Sequence, residues 1–151
     1  MPPHFGNLFS LSTLDLSSCC DLTKLPESLG SLQKLRVLDL SNCWKLDALS
    51  DSFAKLDHLK GLNLSCCYEL KELPELFGNL ETLDLSDCHK LQKLPESISG
   101  LKILKVLILS DCWDLTVLPE SFGNLKQLQY LDLSSSKISA LPESVSELVN
   151  L

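Results

Sequence analysis

Two rhythms of apolar residues alternate along the chain. Short stretches such as Leu38-Asp39-Leu40 and Leu83-Asp84-Leu85 place apolar and polar residues at period two. That is the signature of a strand with one buried face. Each stretch then relaxes into more widely spaced leucines and ends on Leu-Pro-Glu-Ser. Joined together, these form one phrase: Leu-x-x-Leu-x-Leu-Ser-x-Cys-x-x-Leu-x-x-Leu-Pro-Glu-Ser. It opens at Leu11, Leu35, Leu59, Leu80, Leu104 and Leu128, and Leu151 opens another copy. The steps are 24, 24, 21, 24, 24 and 23 residues. A fixed period in this range is the mark of a stacked repeat array.

The period-two leucines point into such a stack, and the residues between them face outward. Every strand recurs in register with the next, so the strands form one parallel sheet, whose inner face needs covering elements behind it. The fold class is therefore α/β: a curved, right-handed solenoid with a parallel sheet on its concave face and short helical or 3-10 turns on its convex face. Pro26, Pro74, Pro95, Pro119 and Pro142 suit the first position of a short helical turn. The glutamates that follow each of them meet the positive end of that turn; they also read as an acidic strip. The column Leu29, Phe53, Phe77, Ile98, Phe122 and Val145 packs inward beneath the turns. Gly30, Gly78 and Gly123 then let the chain reverse. Ser50-Asp51 replaces Pro-Glu in the second copy, which predicts a looser turn there. Three residues are missing between Gly78 and Leu83, and Leu133 to Ile138 is one residue shorter than Leu16 to Leu22. Both changes are expected to be absorbed by local curvature.

One copy cannot bury enough apolar surface to offset its own ordering entropy, so stability must come from stacking six of them. Residues 1–151 thus read as a single domain. Its first residues already belong to a repeat: Phe5-Gly6-Asn7-Leu8 matches Phe122-Gly123-Asn124-Leu125, and Pro2 aligns with Pro119. No polar capping unit is visible at either end. This is the pattern of a segment cut from a longer protein, or of a short module whose open sheet edges self-associate.

Charge narrows the partners. The net charge is −7, positive charge is nearly all lysine, and no basic run exists, which argues against nucleic acid. The most apolar run, Val106-Leu107-Ile108-Leu109, is far too short to cross a bilayer, so no membrane is expected. The N-terminus shows no secretory signal, which points to a soluble cytoplasmic protein.

The cysteines follow the repeat. Cys19, Cys43, Cys67, Cys88 and Cys112 each stand three residues after the last strand leucine, and Ser136 takes that place in the sixth copy. A small, weak donor fits an inward column that must satisfy a bending backbone. Parallel rungs give poor disulfide geometry. Cys20 and Cys66 fall outside this column as surface thiols. With no Cys-x-x-Cys and with His4, His58 and His89 scattered, neither a metal nor a cofactor is expected. Free thiols in this number fit a reducing compartment. The lone sequon, Asn63-Leu64-Ser65, lies on a strand and is discounted.

The outward positions supply the candidate binding surface. One strand column runs Thr13, Val37, Gly61, Thr82, Val106, Tyr130; the next runs Asp15, Asp39, Asn63, Asp84, Ile108, Asp132. Beyond an all-serine column come Ser18, Asn42, Cys66, Asp87, Asp111 and Ser135. The carboxylates have two readings: held by the neighbouring serines, or free as an acidic trough for a basic partner. The rim column is Cys20, Trp44, Tyr68, His89, Trp113 and Lys137. Its rings either stack on one another or dominate binding, as Trp and Tyr often do. Val106, Ile108, Trp113 and Tyr130 form an exposed apolar cluster on two adjacent copies. The candidate partner-binding residues are therefore Val37, Asp39, Trp44, Tyr68, Asp84, Asp87, Val106, Ile108, Asp111, Trp113, Tyr130 and Asp132. No nucleophile and base can be brought together by the register, so no catalytic residue is expected.

The phrase Leu-x-x-Leu-x-Leu-Ser-x-Cys-x-x-Leu-x-x-Leu-Pro-Glu-Ser-φ-Gly-x-Leu, as in Leu104 to Leu125, resembles the leucine-rich-repeat domain of plant intracellular nucleotide-binding disease-resistance proteins, with wording closest to those of grasses. The resemblance implies a non-catalytic module of innate immunity and signal transduction. Such a module recognises pathogen effectors or holds the receptor inactive through its other domains. The Leu-Pro-Glu phrase is shared with intracellular Ras-group-related repeat scaffolds, which stand as the alternative. No Gly-x-x-x-x-Gly-Lys-Ser/Thr loop occurs, so any nucleotide switch lies outside this chain.

Overall fold

The computed structural model describes residues 5–75 and 78–151. Among the described residues, six strands of three residues each lie side by side in chain order: β1 (Thr13–Asp15), β2 (Val37–Asp39), β3 (Gly61–Asn63), β4 (Thr82–Asp84), β5 (Val106–Ile108) and β6 (Tyr130–Asp132). Every neighbouring pair is parallel, and equivalent residues face each other: Leu14, Leu38, Leu62, Leu83, Leu107 and Leu131 form one continuous row. The 21-residue step does not break this register, since Gly61 pairs with Thr82. The middle residue of each strand points into the core while its neighbours face out. Leu38, Leu83 and Leu107 are completely buried. β1 and β6 are the sheet's two edges.

Behind the sheet, the Leu-Pro-Glu-Ser segments form 3-10 turns at Glu27–Ser31, Asp51–Lys55, Glu96–Gly100, Phe122–Asn124 and Glu143–Glu147. Phe53, Ile98 and Phe122 fill the space beneath them, as does Leu29. Phe77, expected in that column, lies outside the described residues, as do Pro2 and His4. Three local expectations change. The prolines sit one position earlier than the first helical residue: Pro26, Pro95 and Pro142 are caps in extended conformation, with ψ of 146°, 148° and 149°. Their carbonyl oxygens accept the first bond of the turn, as from Leu29 N–H to Pro26 at 2.9 Å. The Ser50-Asp51 turn is no looser than the rest. Ser50 adopts φ −77° and ψ 156° without the ring constraint, and its hydroxyl bonds that of buried Ser52.

The glycines also differ in role. Only Gly78 has a positive φ, 100°. Gly30 and Gly123 are required by close approach: an added Cβ would lie 2.5 Å from the Ser52 carbonyl oxygen and 1.9 Å from that of Ser144. These glycines let the Glu27–Ser31 turn stack directly on Asp51–Lys55, and Phe122–Asn124 on Glu143–Glu147.

The thiol column does what the repeat predicted in four of its five rungs. Cys43, Cys67, Cys88 and Cys112 are fully buried. Each donates to the last strand leucine of the preceding coil, namely Leu16, Leu40, Leu64 and Leu85, at 3.2–3.3 Å. Cys19 departs from this. It is exposed, because β1 has no coil packed on its outer side. Ser136 turns back instead and donates to Leu133 within its own coil at 2.7 Å. Cys20 and Cys66 are half-buried rather than fully at the surface. Among the described residues, no helix is long and apolar enough to cross a membrane.

Candidate functional site

The concave face is built from residues flanking the buried strand leucine. After each strand the chain bends sharply, and the residue at the bend takes a left-handed conformation. Ser18, Asn42, Cys66, Asp87, Asp111 and Ser135 all have φ between 56° and 60°. Asn and Asp tolerate this region well and account for three of the six. The strand-ending carboxylates hold the bend in place. Asp15, Asp39, Asp84 and Asp132 each accept the backbone N–H of the serine two residues on, at 2.8–2.9 Å. Asn63 does the same through its side-chain oxygen at 3.0 Å. Ile108 has no group for this bond. The aspartates are thus structural, as one reading proposed, but mainly through serine N–H groups. Serine hydroxyls add to this: Ser86 donates its hydroxyl to Asp84 at 2.7 Å, and the Ser17 and Ser134 hydroxyls bond Asp15 and Asp132. At the two outer strands, hydrogen bonds from the hydroxyl and backbone of Ser17 lower the Asp15 pKa below the ordinary carboxylate value, and those of Ser134 do so for Asp132.

Each capping bond uses one carboxylate oxygen, Oδ1, and leaves the other outside it. Two of these carboxylates border a hollow of the concave face, about 350 Å³. Its floor is β3, where Gly61 contributes no side chain. Its walls include Val37, Val106 and Ile108, and Asp39 and Asp84 stand at its sides. A Cβ on Gly61 would lie 3.3 Å from the Thr82 hydroxyl and about 4 Å from the Val37 methyl groups, so the hollow results from this one missing side chain.

The expected apolar cluster is therefore divided. Val106 and Ile108 join Val37 across β3 and β4. Tyr130 pairs beside Val106 and is 52% exposed, but it does not line the hollow. Trp113 belongs to the rim. There Trp44, Tyr68, His89 and Trp113 form a continuous stack with centroid separations of 6.3, 4.8 and 3.8 Å and interplanar angles of 21°, 15° and 4°. The stacking reading of the rim column thus holds. Trp44 and Trp113 remain about half exposed at the two ends of the stack. His89 Nε2 is buried without a hydrogen bond, 3.6 Å from the Asp87 carboxylate. Asp87 and Asp111 sit at left-handed bends between the strand ends and this ladder. Asp132 lies beside Ile108 on β6.

Gly61, Asn63 and Thr82 were visible as outward positions, but nothing in their letters marked a hollow. A glycine breaking a column of β-branched residues is the available signal. A second feature was missed. Upstream of the strands the chain carries Lys34, Arg36, Lys60 and Lys105, so positive charge lies at one end of the sheet and carboxylates at the other. Between the lysines, Glu81 bridges Lys60 at 2.6 Å and Lys105 at 3.0 Å, and these two partners lower its pKa to about 2.

Known proteins agree with this geometry. The family model for the leucine-rich repeat matches residues 10–32, 34–56 and 58–80, and a model described as Zer-1-like, leucine-rich repeats, matches residues 70–148, just over half of the chain. No curated protein matches. Among solved structures, the leucine-rich repeat domain of the type III effector XCV3220 (XopL) is 26% identical, with a TM-score of 0.60, covering 99% of this chain and 70% of that one. A plant ice-binding protein is 21% identical over 93% of this chain and 53% of its own, with a TM-score of 0.58. The plant peptide hormone receptor RGFR1, solved in complex with RGF2, is 23% identical with a TM-score of 0.51; this chain matches 29% of its length. Such a fold is typically a non-catalytic interaction scaffold. From its thiol ladder, its in-register leucine row and these matches, the chain belongs to the leucine-rich-repeat family.

Proposed function

We propose that this chain is the partner-recognition domain of a plant intracellular immune receptor, acting in disease resistance without catalysis. Its concave face holds a basic protein segment, from a pathogen effector or from another domain of the same receptor. The observation that carries this reading is the hollow over Gly61, where apolar walls sit between two carboxylates that each keep an oxygen outside the capping bond. An aliphatic or aromatic side chain would fill the hollow while neighbouring lysines or arginines meet Asp39 and Asp84. The repeat phrase supports the receptor assignment, and seven free thiols support a cytoplasmic location.

Peptides selected by phage display against the folded chain at low salt test the surface. Enriched sequences should carry one large apolar residue flanked by basic ones, and Gly61→Leu should abolish their binding without lowering the melting temperature. Enrichment of acidic peptides, or binding that survives Gly61→Leu, would sink this reading. The receptor assignment is tested separately, by whether the full transcript encodes a phosphate-binding loop upstream of these repeats.

A further inference from the structure

At the upstream end of the sheet, Ser10, Lys34 and His58 stand three residues before β1, β2 and β3, and Ser12 and Arg36 stand one residue before β1 and β2. These five side chains line a surface hollow of about 270 Å³. Backbone bonds hold them in register: Arg36 N–H donates to Ser12 at 2.8 Å, and Lys60 N–H donates to Arg36 at 2.8 Å. Arg36 is the sole arginine of the chain. Lys45, Lys60, Lys90, Lys105 and Lys126 all have carboxylate partners. Among the described residues, the side chains of Lys34, Arg36 and His58 have none, and the Ser10 and Ser12 hydroxyls make no bond within the protein. In a chain of net charge −7, this is an unneutralised cationic hollow.

We propose that it binds a phosphate dianion, free or carried as a monoester on a protein side chain. The guanidinium offers two parallel N–H groups to two oxygens, a geometry that suits phosphate. Lys34 supplies the second positive charge, and the imidazole donates an N–H in either protonation state. The two serine hydroxyls complete a donor set contributed by three successive coils, which matches a tetrahedral group with several acceptor oxygens. The site ends at the fourth coil, where Glu81 takes the position of Arg36 and is occupied by Lys60 and Lys105. This inference does not depend on the concave-face reading, since the two hollows share no residue.

The test is an NMR titration of the folded chain at low salt and about pH 7.5, where the dianion dominates over its second pKa of roughly 6. The probes are inorganic phosphate, a glycine-flanked phosphoserine peptide and the same peptide without phosphate. Both phosphorylated probes should shift the Arg36 side-chain N–H and the His58 ring signals, and the bare peptide should not. Tighter binding of the peptide assigns the source to a modified protein side chain, and equal binding assigns it to the free phosphate group. Arg36→Gln should weaken binding about tenfold or more, the loss expected for one charged hydrogen-bonding partner. Lys102→Gln should leave it unchanged. Phosphate that fails to move these signals, or an Arg36→Gln variant that binds as tightly as the parent, overturns the proposal.

Discussion

The interior coils and the two outer coils are written in the same letters and live in different surroundings. Leu38, Leu83 and Leu107 are fully buried, whereas Leu14 and Leu131, at the same register position, are only partly covered. Cys43 donates to a carbonyl beneath the sheet, and Cys19 is exposed. At the far end Leu141 and Leu151 are 52% and 56% exposed. Burial in a stack thus belongs to the neighbours of a residue rather than to its place in the phrase. An interior rung has two flanking coils, and an outer rung has one.

Thiol chemistry gives the largest contrast. In the folded chain a bulky thiol reagent should label Cys19 at the speed of a free cysteine. Cys43, Cys67, Cys88 and Cys112 should react at least about a thousandfold more slowly, because labelling then requires opening of a fold stabilised by roughly 5 kcal/mol. Burial also raises the pKa of their thiols, to about 11 in Cys43 and about 12 in Cys67 and Cys112, so little thiolate is present near neutrality. Mass spectrometry over time reads the result; equal rates at all seven sulfurs would break the comparison.

Leucine truncation comes next. Leu107→Ala should cost about 2–5 kcal/mol by urea unfolding, and Leu14→Ala only about 1–2 kcal/mol, since the outer site loses less apolar contact and collapses more easily. Similar losses at both would mean that the outer coils are as well packed as the inner ones.

The ion-pair ladder just before β3, β4 and β5 belongs to the interior coils and has a pH signature. The pKa of Glu81 falls from an ordinary 4.5 to about 2 because Lys60 and Lys105 favour its charged form. The folded state therefore gains stability from it above about pH 4.5, and that gain is lost as pH falls towards 2. The melting temperature of Glu81→Gln should lie below the parent's at pH 6, and the two should converge near pH 2. A gap that stays constant with pH would show that the lysines do not hold the charged form.

The smallest effect is expected at the strand ends. Asp84→Asn should change stability by less than about 0.5 kcal/mol, because Asn63 already makes the same capping bond one coil earlier. The same change should weaken binding of a basic peptide at the concave hollow, which separates the capping role from the charge role.

The leucine period alone determined the solenoid, the parallel register, the outward columns and the inward thiols, because a one-residue slip would turn every strand leucine to solvent. The binding surface was only half legible. Val37, Val106 and Ile108 were named as outward residues, yet their meeting over Gly61 depends on the side chain that glycine lacks. Trp113 was grouped with them, but it stacks on His89 because the rim bends away from the strands. Three-dimensional packing alone decided that Gly30 and Gly123 serve close approach, that Cys19 is uncovered, and that Lys34, Arg36 and His58 share a hollow. The physical reason is the same in each case. A repeat fixes which residues align from coil to coil, whereas clearance, exposure and charge pairing depend on what the adjacent coil places opposite them.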